Sequence, residues 1–234
     1  MGKIIAAFIL LSLLAACGLT GKETTPPAAN LYIINASPDA PAIDVAINNN
    51  TIAASYGYGK DSGYILTFPG TYSFKVSQSG AGTILEDDYR DFPAGRYYSF
   101  FMIDSFSQYK FALMEDKFLS TTDSTTFIRL LNFCPNSPTF RVRFTKVNAT
   151  ATKDTLTFAS RTFNDQTSTT YTTFSTLLGG TYNFVLFNGD STATNITLKD
   201  FGQIEFATGK HYTVYLKGLY GNTTTPLDTA ILVR

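Results

Sequence analysis

The sequence predicts an all-β protein built of two tandem Greek-key sandwich domains, seven to eight strands each. Three observations predict it. Apolar residues alternate with polar ones in short runs, the period of a half-buried strand. Gly, Pro and Asn clusters punctuate those runs, and no stretch beyond the N-terminus keeps a helical period. One series of sequence blocks also occurs twice, in the same order.

The first segment stands apart. Met1-Gly2-Lys3 supplies one positive charge, and Ile4 to Ala16 then runs without charge or proline. That is too short for the ~20 residues a membrane-crossing helix needs. Basic-first and ending in small residues, residues 1–16 read as a secretory signal. Leu14-Ala15-Ala16-Cys17 resembles the lipobox of bacterial lipoproteins. The resemblance implies cleavage before Cys17, acylation of its sulfur (as by palmitate), and anchoring in a membrane. Two acyl chains suffice for stable attachment. Gly18 follows, where an Asp would signal inner-membrane retention, so the outer membrane is the expected location. Residues 17–29, with Thr24-Thr25-Pro26-Pro27, read as a flexible tether.

Charge and cysteine content exclude several classes. Lys and Arg number 18, as do Asp and Glu, and removal of the signal takes one Lys. No basic excess remains to hold nucleic acid. The two cysteines are Cys17 and Cys134, so no disulfide frames the fold. Each half must rely on its own core, for which about 100 residues is enough.

The repeat organises the rest. Leu31 to Ile47 (LYIINASPDAPAIDVAI) faces Ile128 to Phe144 (IRLLNFCPNSPTFRVRF): Asn35 falls on Asn132, Pro38 on Pro135, Pro41 on Pro138 and Val45 on Val142. Further on, Phe68 to Phe74 faces Leu178 to Phe184, and Pro93 to Tyr98 faces Ala207 to Tyr212. The offset grows between blocks, which puts extra residues into the middle of copy two. In the first block Ile43, Val45 and Ile47 alternate with Ala42, Asp44 and Ala46; in copy two Phe140, Val142 and Phe144 point inward, Arg141 and Arg143 outward. Tyr72, Phe74 and Val76 form the next inward set, and Tyr98, Phe100 and Met102 the last, leaving Tyr97, Ser99 and Phe101 outward. Short strands between such turns spell a two-sheet sandwich, transthyretin-like or immunoglobulin-like.

The blocks N-x-SPDAP-x-x-D-V, Pro69-Gly70-Thr71-Tyr72 and Pro93-Ala94-Gly95 resemble the DUF4397 domain of bacterial surface and periplasmic proteins. Copy one (30–118) carries the pattern closely and copy two (127–234) more loosely, with a linker at 119–126. Cys134 is matched to the small Ala36, which implies a small buried side chain. The resemblance implies architecture and envelope location, and no activity. With so short a linker the copies are expected to lie close, as an elongated pair of beads.

Asp39 and Asp44 have the chemistry of cation ligands, but copy two places Asn136 and Arg141 there, so the shared property is turn chemistry. Glu86-Asp87-Asp88 with Asp91 lies on a strand whose successive residues face opposite ways, better suited to guarding an edge than to holding calcium. Neither a metal nor another cofactor is expected. His211, at the start of a strand whose Tyr212, Val214 and Leu216 face the core, is expected at the surface. It is the sole histidine available as a base, and no nucleophile motif accompanies it. Catalysis is therefore not expected, and a hydrolase using His211 is the least favoured reading. Tyr56-Gly57-Tyr58-Gly59-Lys60 is the best candidate binding loop, through Tyr56, Tyr58 and Lys60, for a protein or glycan; the alternative is a strand end whose rings cover the sheet. Tyr64 and Phe174 read as core. Asp123-Ser124-Thr125, Asp154-Thr155-Leu156, Asp190-Ser191-Thr192 and Asp228-Thr229-Ala230 resemble the O-glycosylation sequon of exported Bacteroidota proteins. The expected role is a non-enzymatic, membrane-anchored binding or scaffolding module of the cell envelope, with a self-associating surface-layer component as the alternative.

Overall fold

The computed structural model describes residues 27–120, 124–150, 154–189 and 196–234. Cys17, the signal segment and most of the tether lie outside them, as do Asp123 and Asp190-Ser191-Thr192. Sixteen strands are described. In the first half they are β1 (Ala29–Asn35), β2 (Ile43–Ile47), β3 (Asn50–Tyr56), β4 (Asp61–Thr67), β5 (Gly70–Gln78), β6 (Ile84–Phe92), β7 (Tyr97–Ile103) and β8 (Lys110–Glu115). In the second half they are β9 (Thr125–Asn132), β10 (Phe140–Lys146), β11 (Thr155–Arg161), β12 (Ser175–Leu178), β13 (Gly180–Asn188), β14 (Thr197–Phe206), β15 (His211–Lys217) and β16 (Asp228–Val233).

Each half is a sandwich of two four-stranded sheets. The orders are β4-β1-β7-β8 over β3-β2-β5-β6, and β12-β9-β15-β16 over β11-β10-β13-β14. The two halves thus have the same topology, and eight strands apiece meets the expectation. The order is the transthyretin-like one and departs from the ABED/CFG division of an immunoglobulin domain. In each half the first strand lies parallel to the seventh, β1 on β7 and β9 on β15, while the other ladders are antiparallel.

Local chemistry explains the shared blocks. Asn48 and Asn49 hold positive φ (47° and 62°) in the two-residue turn from β2 to β3, which Asn tolerates better than most side chains. Gly70 and Gly180 share φ 143°, and the tyrosine two residues on turns back over the corner. Tyr72 Oη donates to Pro69 O at 3.1 Å, and Tyr182 Oη to Leu178 O at 2.7 Å. Asn35 Oδ1 accepts from Ser37 N at 3.2 Å and Asn132 Oδ1 from Cys134 N at 3.0 Å. This pairing corrects the sequence match: Cys134 stands at Ser37, and Phe133 at Ala36.

The alternation set the cores correctly but misread the outer faces. Leu31, Ile33, Val45, Phe74, Phe100 and Met102 fill the first sandwich; Leu130, Val142, Phe144, Phe184, Val214 and Leu216 fill the second. Yet Ser99, Phe101 and Arg141, expected outside, are buried as well. The reason for Phe101 and its neighbours is a third apolar cluster. Ile34, Phe101, Ile103 and Met114 of the first half pack on Leu131, Phe133, Tyr215 and Leu232 of the second. The β4-β1-β7-β8 and β12-β9-β15-β16 sheets therefore meet face to face, and both of their faces are buried. Phe101 and Tyr215, which occupy equivalent places in the two copies, meet with ring centroids 5.5 Å apart. β8 ends at Glu115 and β9 begins at Thr125, so β9 starts inside the stretch expected as linker.

Candidate functional site

The sequence-predicted loop is spoken for by the fold. Asn35 Nδ2 donates to Tyr56 O at 3.0 Å, and Gly59 N donates to Asn35 O at 2.8 Å. Tyr56 packs against the first core. Tyr58 turns toward the second sandwich, where Lys217 Nζ lies 4.8 Å from its ring centroid. Its phenol is pushed up to about 12, by burial first and then by the negative charge of Asp228. Lys60 alone of the three is exposed. Tyr56 and Lys60 line one shallow hollow with Ser55 and Asp61, while Tyr58 turns away from it toward Lys217.

His211 is a correction. It is 7% exposed rather than solvent-facing, because the sheet that carries it is covered by the first sandwich. Its ring stacks on Phe127 at 4.5 Å and meets Phe118 and Phe174 edge-on, while Nε2 accepts from Leu119 N at 3.0 Å. Burial, helped by the positive charge of Arg234, lowers its pKa from the ordinary value. Tyr64 and Phe174 likewise belong to the seam between sandwiches, not to the sandwich cores.

Turn chemistry accounts for the acidic residues. Asp39 Oδ1 accepts from Phe106 N at 2.7 Å and Asp44 Oδ1 from Ser55 N at 2.7 Å. Asn136 does the work of Asp39 in copy two, accepting from Tyr220 N at 2.7 Å and also donating to Tyr220 O at 2.9 Å. Glu86 and Asp88 pair with Arg90, and Asp87 with Lys75, along the edge strand β6. Among the described residues no three His, Cys, Asp or Glu side chains gather as metal ligands, and no helix is long and apolar enough to cross a membrane.

A polar seam closes one side of the domain interface. Arg129 Nη2 lies 2.6 Å from Asp116 Oδ1, with both side chains 1% exposed. Asp116 Oδ2 accepts from Ser99 Oγ at 2.7 Å and Tyr64 Oη at 2.9 Å. Arg129 Nη2 also donates to Thr213 Oγ1 at 2.8 Å, and its guanidinium sits 4.8 Å from the Phe174 ring centroid. A buried pair of this kind is costly to break and gives only weak evidence for net stabilisation. Its geometric effect is plain: it fixes β8 of one sandwich against β9 of the other.

Beside this seam runs a deep concavity. A cavity of about 640 Å³ is lined by Leu113, Glu115, Leu119, Thr172 and Phe174 among others. It shares Leu113, Met114, Gln166 and Thr167 with a second cavity of about 600 Å³ that continues toward Arg90 and Tyr109. The two make one cleft along β8. Its far wall is the connection from β11 to β12, residues 162–174, which contains 3-10 turns at Asp165–Thr167 and Thr169–Tyr171. Arg161 holds that wall: Nε and Nη2 donate to the two oxygens of Asp165 at 2.6 and 2.7 Å, and Nη2 also to Leu130 O at 2.8 Å. Gln166 lines both cavities at 6% exposure, its amide donating to Asn164, and its Oε1 is buried without a hydrogen-bond partner. A buried acceptor left unpaired costs about 1–3 kcal/mol, which a ligand donor would recover. The growing offset between repeats was the one sequence signal that copy two carries an addition here.

Comparison with curated proteins finds no match. Among solved structures the chain is similar to a family 26 carbohydrate-binding module from Eubacterium rectale in complex with maltoheptaose, at 13% identity over 87% of this chain and 96% of that one, TM-score 0.26. It is also similar to a leucine-rich repeat protein from Bacteroides thetaiotaomicron, at 12% identity over 86% of this chain and 27% of that one, TM-score 0.21. At these scores neither likeness bears on what the cleft holds. Residues 29–143, which take in all eight strands of the first sandwich and run into β10, match the family described as a domain of unknown function, DUF4397.

Proposed function

We propose that the protein is a cell-envelope lipoprotein, anchored through acyl groups on Cys17 in the outer membrane, that acts as a non-enzymatic binding or scaffolding module for a protein or an envelope glycan. The second sandwich is a further copy of the first, and the ligand enters the cleft along β8. The observation that carries the binding role is that cleft, two joined cavities with the unpartnered Gln166 Oε1 inside. A concave, mostly apolar site with few convergent polar groups is the common form of a recognition site. Support for the membrane-near orientation comes from Leu66 (71% exposed) and Phe68 (76% exposed). Leu66 pairs with Asn30, at the end of the body from which the chain leads back toward Cys17.

Two measurements test this. The intact mass of membrane-extracted protein should show acyl chains on Cys17, and Cys17→Ser should release the protein from the membrane fraction. Purified mature protein, offered to glycan arrays, peptide libraries and envelope extracts, should retain a ligand at micromolar concentration. Self-association with no other ligand would replace the reading with that of a structural surface component.

A further inference from the structure

We infer that the cleft takes an extended polypeptide segment, which adds as a fifth strand to the free edge of β8. The inference rests on the binding role proposed above and names its ligand class.

The first observation is which residues line the cleft. Every position from Tyr109 to Glu115 lines one cavity or the other. Alternate strand residues point to opposite faces, so a pocket lying on a sheet face would collect every second residue. A lining of consecutive residues places the opening beside the strand, at its backbone edge.

The second is what that edge offers. Among the described residues β8 pairs only with β7. Asp116 N donates to Tyr97 O at 2.7 Å. In an antiparallel ladder, residues alternate between pointing their N–H and C=O at the partner and away from it. Met114, Ala112 and Lys110 therefore share the phase of Asp116, and Phe111, Leu113 and Glu115 direct theirs outward, into the cleft. An edge left open in this way is a template for another chain. The six residues of β8 span about 20 Å at ~3.3 Å each, room for a segment of about six residues.

The third concerns what can enter. The 162–174 wall stands across the cleft from the edge, so a broad sheet is kept out and a single narrow strand is admitted. Gln166 on that wall presents its unpartnered, deeply buried Oε1, and a strand lying between β8 and Gln166 has N–H groups on both of its edges. The cleft is also continuous with the domain interface, since Met114 belongs both to its lining and to the shared apolar cluster. A segment with apolar or β-branched side chains toward Met114 and Phe174 extends that cluster.

The test uses the mature chain and a phage-displayed library of linear 12-residue peptides. Selected peptides, made synthetically, should bind with a period-two response: N-methylation at every second residue weakens binding at least tenfold, and at the residues between leaves it within twofold. Leu113→Pro removes an outward N–H that β7 does not use and should weaken binding at least tenfold, whereas Leu113→Ala, which gives up the same packing on the first core but keeps the N–H, should stay within about threefold of wild type. Gln166→Leu should weaken it severalfold. Should Leu113→Pro fail to fold, the methylation scan on unaltered protein decides. Selected peptides indifferent to both the scan and Leu113→Pro overturn strand addition. A glycan that binds where no peptide is enriched overturns it too, yet leaves the binding role standing. Absence of any ligand overturns both.

Discussion

The two sandwiches share strand order, corner tyrosines and Asn-centred turns, but they differ where one touches the other. In the first, β3 and β4 are joined by four residues, Gly57–Lys60, which lay Tyr58 on Lys217 next to Asp228 at the start of β16. In the second, the equivalent join from β11 to β12 is residues 162–174, which stand over β8 and create the cleft. The polar seam is lopsided in the same way. Tyr32 meets the Tyr64 ring edge-on at 5.0 Å, whereas Arg129, its counterpart, sits over Phe174 and reaches Asp116. Asp116 and Arg234 end equivalent strands, with Asp116 N bonded to Tyr97 O and Arg234 N to His211 O. Each crosses to the other sandwich: Asp116 to Arg129, and Arg234 to the rings of Tyr97 and Phe118, 3.6 and 4.2 Å from their centroids. The contact between the two sheets is thus pseudo-two-fold in geometry, with halves that are complementary in charge.

Four substitutions probe that divergence. Arg129→Ala leaves the Asp116 carboxylate buried and unpaired, and should cost about 3–5 kcal/mol in urea unfolding. Tyr32→Phe, at the matching position, removes one hydrogen bond to Asp61 and should cost about 1 kcal/mol. Equal losses would break the asymmetry. Gly218→Ala should come next, at about 2–3 kcal/mol. Its φ is +84°, and a Cβ there would lie 2.2 Å from Pro226 O. Copy one keeps Asp104 at this place with φ 74°, and Asp104→Gly, which gives up the ion pair with Lys110 and the hydrogen bond from Ser105 N, should cost about 1–2 kcal/mol.

A pH effect should follow in size. His211 has its pKa lowered on folding, so the unfolded chain binds protons first as pH falls. Stability should be full above the ordinary value of 6.5 and fall below it, until the folded-state pKa is passed. His211→Tyr, which installs the residue that copy one uses (Tyr97), should flatten that part of the profile. The smallest effect is expected from Cys134→Ser, which restores the Ser37 of copy one at under about 1 kcal/mol. Burial raises the Cys134 thiol above its usual range, so in the wild type a disulfide reagent such as DTNB should label it slowly when folded and rapidly in urea.

Much of the fold could be read from residues alone, because alternation and turn chemistry are local. Val45, Phe74 and Phe100 point inward as their spacing required. The interface was harder to see, although a trace was present. Ile33-Ile34 and Phe100-Phe101-Met102-Ile103 are continuous apolar runs, the mark of a sheet covered on both faces, and reading them as alternation sent Phe101 to the surface. His211 followed the same error. The cleft was illegible for a different reason: residues 162–174 have no period, and their wall depends on Arg161 and Asp165 meeting in space. Of the expected loop, Tyr56 packs on the first core and Tyr58 lies by Lys217, while Gln166 carried no sequence signature at all.

The parallel pairing of first and seventh strands bears on when each half can close. Asn30 bonds to Arg96 at a sequence separation of 66, and Thr126 to Lys210 at 84. Contacts that distant pay their loop-closure entropy late, and such chains fold slowly. As the polypeptide emerges N-terminus first, β1 has no central partner until β7 follows, and β9 must wait for β15. The nascent chain accordingly stays pliable through most of each half, then locks as its seventh strand arrives.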